Sequence, residues 1–261
     1  MATIKPMLLT ETFDKEILVD DTKIFQIKEN GVRAILHVKE GKIVGIRNRA
    51  NNPILYQFPE LRDIEFPFST GILDAEICVY KNGKSVFYGG IDKRRSAPSE
   101  DTLKEYPAKL IIFDVLKIDS DVLVMKSYKE RYDQLCLNIP EGPNIELSRN
   151  YTDGKELWDK VMRENQEGVV IKSPRAMYEL GKRSTQNIKL KYYKTTDITV
   201  DKVEPNSAGT KIFGKVDDIE VECQLAGIFD VEIGSVQKIK YLDIVGKRFI
   251  QPTKVKREQL Q

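Results

Sequence analysis

The sequence predicts an α+β fold in which antiparallel sheets carry flanking helices and a small all-β domain follows. Strand-like runs separated by Gly, Pro and Asn dominate the first part of the chain, at residues 32–38, 42–46, 72–80, 109–113 and 168–172. Helical spacing of apolar residues occurs at residues 126–137 and in a run that begins at Asp153, an N-cap residue type. Many short strands with few helices are typical of this fold class.

The last part of the chain has a different pattern. Short strand-like runs joined by turns follow residue 194, at residues 198–203, 211–216, 219–225 and 236–242. In the third run apolar and polar residues alternate strictly, as in a strand with one buried face. Such a tail suits a small barrel such as an OB-fold. We therefore predict two domains, 1–194 and 195–261.

One segment of the first domain shows neither the strand nor the helix periodicity of apolar residues. Residues 92–107 are polar and contain the breaker residues Pro and Ser, so they predict a mobile loop.

Composition excludes several classes of protein. No apolar run approaches the roughly 20 residues that a membrane span requires, and the N-terminus has no signal-peptide core, so we expect a cytoplasmic protein without membrane contact. The chain has 3 cysteines in no Cys-x-x-Cys spacing, which argues against a structural zinc site or a disulfide framework. His37 is the only histidine, so catalysis has to rest on Lys, Arg, Asp and Glu.

The charge balance does not identify a partner. The chain has 42 basic and 40 acidic residues among 261. A basic DNA-binding face is compatible with a net charge of +2 but is not predicted by it.

Lys28 is the first candidate for chemistry. It follows a strand-like run and precedes Glu29, Asn30 and Gly31, where glycine permits a tight turn close to a ligand. Taken alone, this pattern is more often an ordinary surface lysine.

Two further features concern strands with charged faces. Period-2 alternation places Asp74 and Glu76 on one strand face, which indicates either an exposed acidic face or carboxylates offset by cations or a metal. The same alternation places Lys189 and Lys191 together, either on a solvated basic face or around an anion such as a triphosphate.

Two apolar strands carry the remaining features. Phe113 lies in one of them and is either a core residue or a ring on which a base stacks. The other strand is residues 167–172, with charges only at its two ends, Glu167 and Lys172.

The order of these features resembles that of the covalent nucleotidyltransferases, which comprise DNA ligases, RNA ligases and mRNA capping enzymes. The shared series is a lysine before a glycine turn, an acidic strand, an aromatic residue, Glu-Gly-x-x-x-Lys and Lys-x-Lys. Each feature is weak by itself, but five in this order are specific.

Several stretches resemble the ATP-dependent DNA ligases within that superfamily. Residues 112–119 (Ile-Phe-Asp-Val-Leu-Lys-Ile-Asp), followed by Glu130 and Arg131, are similar to their Phe-Asp-x-Leu and Glu-Arg stretches. Residues 178–184 (Tyr-Glu-Leu-Gly-Lys-Arg-Ser) are similar to the stretch that follows Glu-Gly-x-x-x-Lys. Residues 5–9 and 59–61 are similar to compact bacterial and phage ligases, including the ligase module of end-joining enzymes. The resemblance covers nearly the whole chain.

Four positions depart from the family pattern. Asn30 replaces the Asp of Lys-x-Asp-Gly, and Gln26 stands where Glu is frequent. Ala75 replaces the glycine of the usual Asp-Gly-Glu, and Asn187 lies at or near a position where Trp is common. Asn30 removes a negative charge beside the nucleophile, which would weaken lysine positioning or metal recruitment.

The resemblance implies a function and a set of site residues. Lys28 would attack the α-phosphate of ATP, and the AMP would pass to a 5′-phosphate at a nick that the 3′-hydroxyl then seals. The resemblance implies ATP contacts from Gln26, Ile27, Arg33, Arg49, Glu76, Phe113, Lys189 and Lys191, and binding of Mg²⁺ or Mn²⁺ by Glu167 and Glu76. Further contacts to ATP or DNA are implied for Arg248, Lys254, Lys256 and Arg257 in the tail domain.

The implied partners are nicked double-stranded DNA and, because Lys28 comes early in the chain, a protein that delivers the DNA end. We expect a monomer. An ATP-dependent RNA ligase is the main alternative function. A capping guanylyltransferase agrees less well with the ligase-like stretches. Because Asn30 departs from the family pattern, a non-catalytic nucleic-acid-binding relative is a further alternative.

Overall fold

The structure is a computed structural model that describes residues 4–255 and divides into two compact units, Met1–Lys191 (unit 1) and Tyr192–Gln261 (unit 2). The sequence places the domain boundary after residue 194, just inside unit 2. In the described part of the chain no helix is both long and apolar enough to cross a membrane.

Unit 1 is built mainly of strands. They are β1 (Leu8–Thr12), β2 (Ile24–Ile27), β3 (Val32–Lys39), β4 (Lys42–Arg47), β5 (Thr70–Lys81), β6 (Lys84–Ser85), β7 (Ala108–Ile118), β8 (Asp121–Val122), β9 (Ile145–Leu147), β10 (Gly168–Lys172) and β11 (Arg183–Lys191). Its α-helices are α1 (Phe87–Gly90), α2 (Glu100–Glu105), α3 (Tyr128–Asn138) and α4 (Gly154–Arg163). Short 3₁₀ helices occupy Glu16–Val19, Leu55–Gln57, Pro59–Asp63 and Ile91–Arg94.

These strands form two sheets, and most neighbours are antiparallel. Sheet A has the order β1-β11-β10-β2, and sheet B has the order β4-β3-β5-β7-β8, with β6 added to β5 and β9 to β7. The pairs β1–β11 and β7–β9 are parallel. The predicted antiparallel α+β class therefore agrees with unit 1.

Alternation along β5 separates the core from the charged face of sheet B. Leu73, Ala75 and Ile77 are fully buried in the main hydrophobic core, while Asp74 and Glu76 point to the opposite side. Because the side-chain period of a strand is 2, this register is set by the apolar residues themselves.

The two predicted helices begin within two residues of where the sequence places them. Ser127 and Glu130 form a reciprocal capping box that starts α3. The Asp153 side chain accepts a hydrogen bond from the backbone N–H of Glu156, so Asp153 is the N-cap of α4.

Unit 2 is all-β in its described residues. Its strands are β12 (Lys194–Asn206), β13 (Gly209–Val216), β14 (Ile219–Ala226), β15 (Val236–Tyr241), β16 (Asp243–Val245), β17 (Arg248–Ile250) and β18 (Thr253–Lys254). They form one sheet in the order β16-β17-β14-β13-β12-β15-β18. The alternation predicted for residues 219–225 is present, because Val221, Cys223 and Leu225 are buried in the core of this unit.

The segment 92–107 differs from the predicted loop, because it contains the end of a 3₁₀ helix and α2. Arg94 is fully buried, donates hydrogen bonds to both carboxylate oxygens of Glu60 and to two backbone carbonyls, and lies 5.0 Å from the ring centroid of Phe58. A charged residue inside a polar segment gave no sign of burial, because its partner lies 34 residues earlier in the chain.

We expect Glu60→Gln to lower the free energy of unfolding by about 2 to 4 kcal/mol, because Arg94 is then a buried cation without its counter-ion. Urea denaturation measures the change. Asp92→Asn is the matched control, since it removes the carboxylate of the exposed Asp92–Arg95 pair and should cost less than about 0.5 kcal/mol. Equal losses in the two variants would contradict this account.

Candidate active site

A cavity of about 340 Å³ in unit 1 is lined by residues of both sheets. Such a volume is at the lower end of small-molecule sites. Eight of the residues assigned to ATP by resemblance line it together, namely Gln26, Ile27, Lys28, Arg33, Arg49, Glu76, Phe113 and Lys189.

Lys28 lies directly after β2, at the edge of sheet A. Its backbone N–H donates to the carbonyl of Gly168, and its Nζ lies 2.7 Å from Oε2 of Glu167. The two side chains are only 20% and 8% exposed, so this ion pair is weakly screened. Lys28 is therefore a partly buried cavity residue rather than an ordinary surface lysine.

Two glycines allow the backbone segments around this ion pair to pack closely. A Cβ on Gly168, whose φ is 150°, would lie 2.2 Å from the carbonyl oxygen of Leu190. A Cβ on Gly31 would lie 2.3 Å from the carbonyl oxygen of Ile77. Gly31 thus lets the chain after Lys28 pass close to β5. The close approach that this glycine permits is therefore to the protein backbone.

The acidic face of β5 is occupied by hydrogen bonds. Fully buried Asp74 accepts from the Arg33 guanidinium through both carboxylate oxygens and from the Tyr178 hydroxyl. Arg33 also donates to the carbonyl of Met7 and lies 4.7 Å from the ring centroid of Phe113. In this conformation the Arg33 guanidinium is bound to Asp74 and is not free to bind an anion in the cavity bidentately.

Gln26 is held in a similar way. Its amide nitrogen lies within hydrogen-bond distance of the Tyr128 hydroxyl, the Ser148 carbonyl and Oδ1 of Asn150. An amide NH₂ has two hydrogens to donate, so these acceptors satisfy it within the protein. If Gln26 recognises the edge of an adenine base, it would do so through its other atoms or through the adjacent backbone.

The lysine pair of β11 meets a carboxylate from β1. Oε2 of Glu11 lies 3.6 Å from Nζ of Lys189 and 3.4 Å from Nζ of Lys191. The anion that the two ammonium groups require is therefore supplied by the protein in this conformation.

Comparison with known proteins identifies the family. Residues 6–191 match the family model described as the ATP dependent DNA ligase domain. The chain belongs to the ATP-dependent DNA ligase family.

Relatives of this ligase are named accordingly. The SPbeta prophage-derived DNA ligase-like protein LigB of Bacillus subtilis is 28% identical over 198 residues, which cover 76% of this chain and 70% of that protein. DNA ligase 1 of Methanosarcina mazei is 29% identical over 203 residues, which cover 69% of this chain and 35% of the relative. The ligase thus spans most of the prophage protein and about a third of the archaeal one.

Solved structures share the fold along the whole chain. The mycobacterial DNA ligase D complexed with ATP and MES superimposes with a TM-score of 0.65 at 18% identity, covering 96% of this chain and 93% of that one. A Lig E DNA ligase, from work on DNA binding with a minimal scaffold, has a TM-score of 0.71 at 14% identity, covering 97% and 99%. These matches confirm the predicted fold class, an adenylation domain followed by an OB-fold-like β region.

The ligase site also contains residues to which the sequence assigned no role. Lys172 lies in the cavity, donates to the carbonyl of Phe113 and is 4.1 Å from the ring centroid of Tyr128. Burial lowers the pKa of Lys172 to about 7, although nearby Asp114 opposes the shift. Its place at the end of Glu-Gly-x-x-x-Lys was a usable signal, whereas nothing in the sequence marked Glu11.

Two cavity carboxyl groups have unusual proton affinities. Burial raises the pKa of Glu76 to about 7, with Lys28 and Arg33 opposing the shift. Burial also raises the pKa of Glu29 to about 7, and Glu146 adds to the shift, while a weak hydrogen bond from the Cys78 thiol and the charge of Lys28 oppose it. The cavity therefore holds two carboxyl groups that titrate near neutral pH.

The remaining predicted residues lie beside the cavity or in unit 2. Glu167 and Lys191 do not line the cavity. Glu167 pairs with the cavity residue Lys28, and Lys191 shares the Glu11 carboxylate with the cavity residue Lys189. Arg248 begins β17 and lies 3.8 Å from Glu222, and Lys254 is in β18. Lys256 and Arg257 lie outside the described residues.

The carboxylates present fit a magnesium or manganese ion only in part. Within residues 4–255, no group of three or more His, Cys, Asp and Glu side chains is arranged to hold a metal. Mg²⁺, however, is typically bound by one or two carboxylates together with water and substrate phosphates. Glu167 and Glu76, which both lie close to Lys28, suit that mode.

We expect Glu29→Gln to stabilise the protein at pH 8 by on the order of 1 kcal/mol and to have a smaller effect at pH 5. A carboxyl group whose pKa rises from 4.5 to about 7 on folding contributes its stability at low pH and loses it as the pH rises through this window. Urea denaturation between pH 4.5 and 8 measures the difference.

The matched control is Glu141→Gln, which removes an exposed carboxyl group. A stabilisation by Glu29→Gln that is constant from pH 5 to pH 8 would show that the carboxyl group is not buried as described.

Proposed function

We propose that this chain seals 5′-phosphate/3′-hydroxyl nicks in duplex DNA through a covalent lysyl-AMP intermediate. The observation that carries the proposal is the place of Lys28, whose amine is in a cavity with Phe113, Glu76 and Lys189 and is paired with Glu167. Membership of the ATP-dependent DNA ligase family supports ATP as the nucleotide and DNA as the substrate.

In the first step Lys28 forms a bond from its Nζ to the α-phosphorus of ATP while the bond to the β-phosphate oxygen breaks and pyrophosphate leaves. The amine must first lose a proton and separate from Glu167. Lys189 and Lys191 would neutralise charge on the phosphates as it moves to the leaving group. Glu29, which titrates near neutral pH, is suited to accept the proton of Lys28.

The nucleoside would bind against Phe113 and Glu76. The cationic groups of Arg33 and Lys172 lie 4.7 and 5.3 Å from the centroid of the Phe113 ring. Adenine would stack on the part of this ring that the two cations leave accessible. Glu76 would accept a hydrogen bond from a ribose hydroxyl, and Arg49 would contact the sugar or a phosphate.

Mg²⁺ or Mn²⁺ would be held by Glu167 and Glu76. When bound, such an ion neutralises phosphate charge and lowers the proton affinity of groups nearby. Glu167 pairs with Lys28 in this structure, and loss of that contact would leave the amine free.

In the second and third steps AMP passes from Lys28 to the 5′-phosphate of the nick, and the 3′-hydroxyl displaces it to form the phosphodiester. Arg248, Lys254, Lys256 and Arg257 of unit 2 would contact ATP or DNA phosphates, so DNA binding should weaken steeply with salt. We also propose a monomeric, cytoplasmic enzyme to which another protein delivers the nick.

An RNA ligase would use the same site, and family membership is the observation that favours DNA. Sealing of nicked DNA and nicked RNA by the same preparation separates the two. A non-catalytic relative would acquire no mass of AMP when incubated with ATP and Mg²⁺.

We expect Lys28→Ala to abolish the protein–AMP adduct, because the proposed phosphoramidate bond forms on the Lys28 amine. Intact-mass spectrometry after incubation with ATP and Mg²⁺ measures the adduct. Lys39→Ala, at an exposed lysine in β3, is the control and should be adenylated like the unchanged protein. An AMP adduct on Lys28→Ala would refute the assignment.

We expect Glu167→Gln to slow adduct formation about tenfold or more and to raise the Mg²⁺ concentration required for half-maximal rate. The initial rate of adenylation at a series of Mg²⁺ concentrations measures both effects. Glu164→Gln changes an exposed glutamate three positions earlier and should alter neither. An unchanged Mg²⁺ requirement in Glu167→Gln would remove Glu167 from the ion site.

A further inference from the structure

Glu11 contacts both lysines assigned to the phosphates of ATP. It lies on β1, directly opposite Lys189 in the parallel register of β1 and β11. One carboxylate oxygen is 3.6 Å from Nζ of Lys189 and 3.4 Å from Nζ of Lys191. Of these residues Lys189 also lines the cavity that contains Lys28.

The three side chains are largely removed from water. The exposed fraction is 25% for Glu11, 22% for Lys189 and 8% for Lys191. Two ammonium groups that share one carboxylate oxygen repel each other, and partial burial limits the screening of that repulsion by salt. Burial together with the charges of Lys191 and Lys28 lowers the pKa of Lys189, while Glu11 opposes the shift. A negative charge is therefore stabilising at this position.

We propose that Glu11 occupies the place of a nucleotide phosphate in the nucleotide-free enzyme and thereby sets the affinity of the site for polyphosphates. The inference rests on the proposed function, in which Lys189 and Lys191 bind the phosphates of ATP. A triphosphate displaces Glu11 from the lysine pair, and Glu11 returns when pyrophosphate leaves.

Glu11 acts here as an affinity-determining residue, because it touches the lysines and no reacting atom. Competition by its carboxylate weakens the binding of ATP and of pyrophosphate alike. It therefore favours the release of pyrophosphate and disfavours reversal of adenylation. A carboxylate that only held the lysines in position would have the opposite effect, since its loss would weaken phosphate binding.

The sign of the effect is measured with Glu11→Gln, which keeps the size of the side chain and removes its charge. We expect the ATP concentration for half-maximal adenylation to fall about threefold to tenfold, the range that follows from a partly exposed ion pair, with the maximal adduct yield unchanged. Calorimetric binding of inorganic tripolyphosphate should tighten by a similar factor. Glu65→Gln removes the carboxylate of the exposed Lys42–Glu65 pair and should change neither quantity.

A double variant tests whether the effect passes through the lysine pair. In a Lys191→Met background, Glu11→Gln should tighten tripolyphosphate binding less than in the unchanged protein, because one of the two competing contacts is gone. Thermal unfolding of each variant confirms that it is folded before binding is measured.

Unchanged or weaker tripolyphosphate binding by folded Glu11→Gln would overturn the proposal. Failure of the proposed function is a separate result, because it would appear as a lack of AMP adduct in the unchanged protein. Tripolyphosphate binding would still report on Glu11 in that case.

Discussion

Asp74 is the buried charge on which the arrangement of unit 1 depends. It is fully buried and joins Arg33 of β3 to Tyr178, which precedes β11, so it connects the strands of sheet B with the segment that leads into sheet A. Met7 completes the connection, because its N–H donates to the Tyr178 hydroxyl oxygen and its carbonyl accepts from Arg33. A buried carboxylate is tolerated only when its partners satisfy it, so these residues hold one another in place.

The cavity beside this network contains charges that are only partly solvated. Lys28 is paired with Glu167, Lys189 with Glu11, and Arg33 with Asp74, so three of the cations expected to meet a phosphate or a sugar already have an acidic partner. Desolvation strengthens each of these interactions. It also means that nucleotide binding is an exchange of anions around fixed cations rather than the filling of a neutral pocket.

The replacement of Asp by Asn30 next to the nucleophile has a counterpart in this geometry. Glu29, one residue earlier, brings a carboxyl group into the cavity, and burial keeps its pKa near neutrality. Negative charge near Lys28 is thus retained in a group that can also bind a proton. Glu29 therefore gives the site a proton acceptor suited to neutral pH, a role that histidine fills in many enzymes.

The sequence by itself determined the positions of the longer strands and of the two longest helices, the all-β tail and the family, because alternation, capping residues and motif order are local or ordered along the chain. Strand 219–226 and the Asp153 cap show this directly. Only the tertiary structure decided which charges meet. Arg94 with Glu60, Glu11 with the lysine pair, and Gln26 with Asn150 are separated by 34, about 180 and 124 residues, and no local pattern carries such distances. Burial of an ionisable group depends on those distant partners, so its role became visible only in the fold.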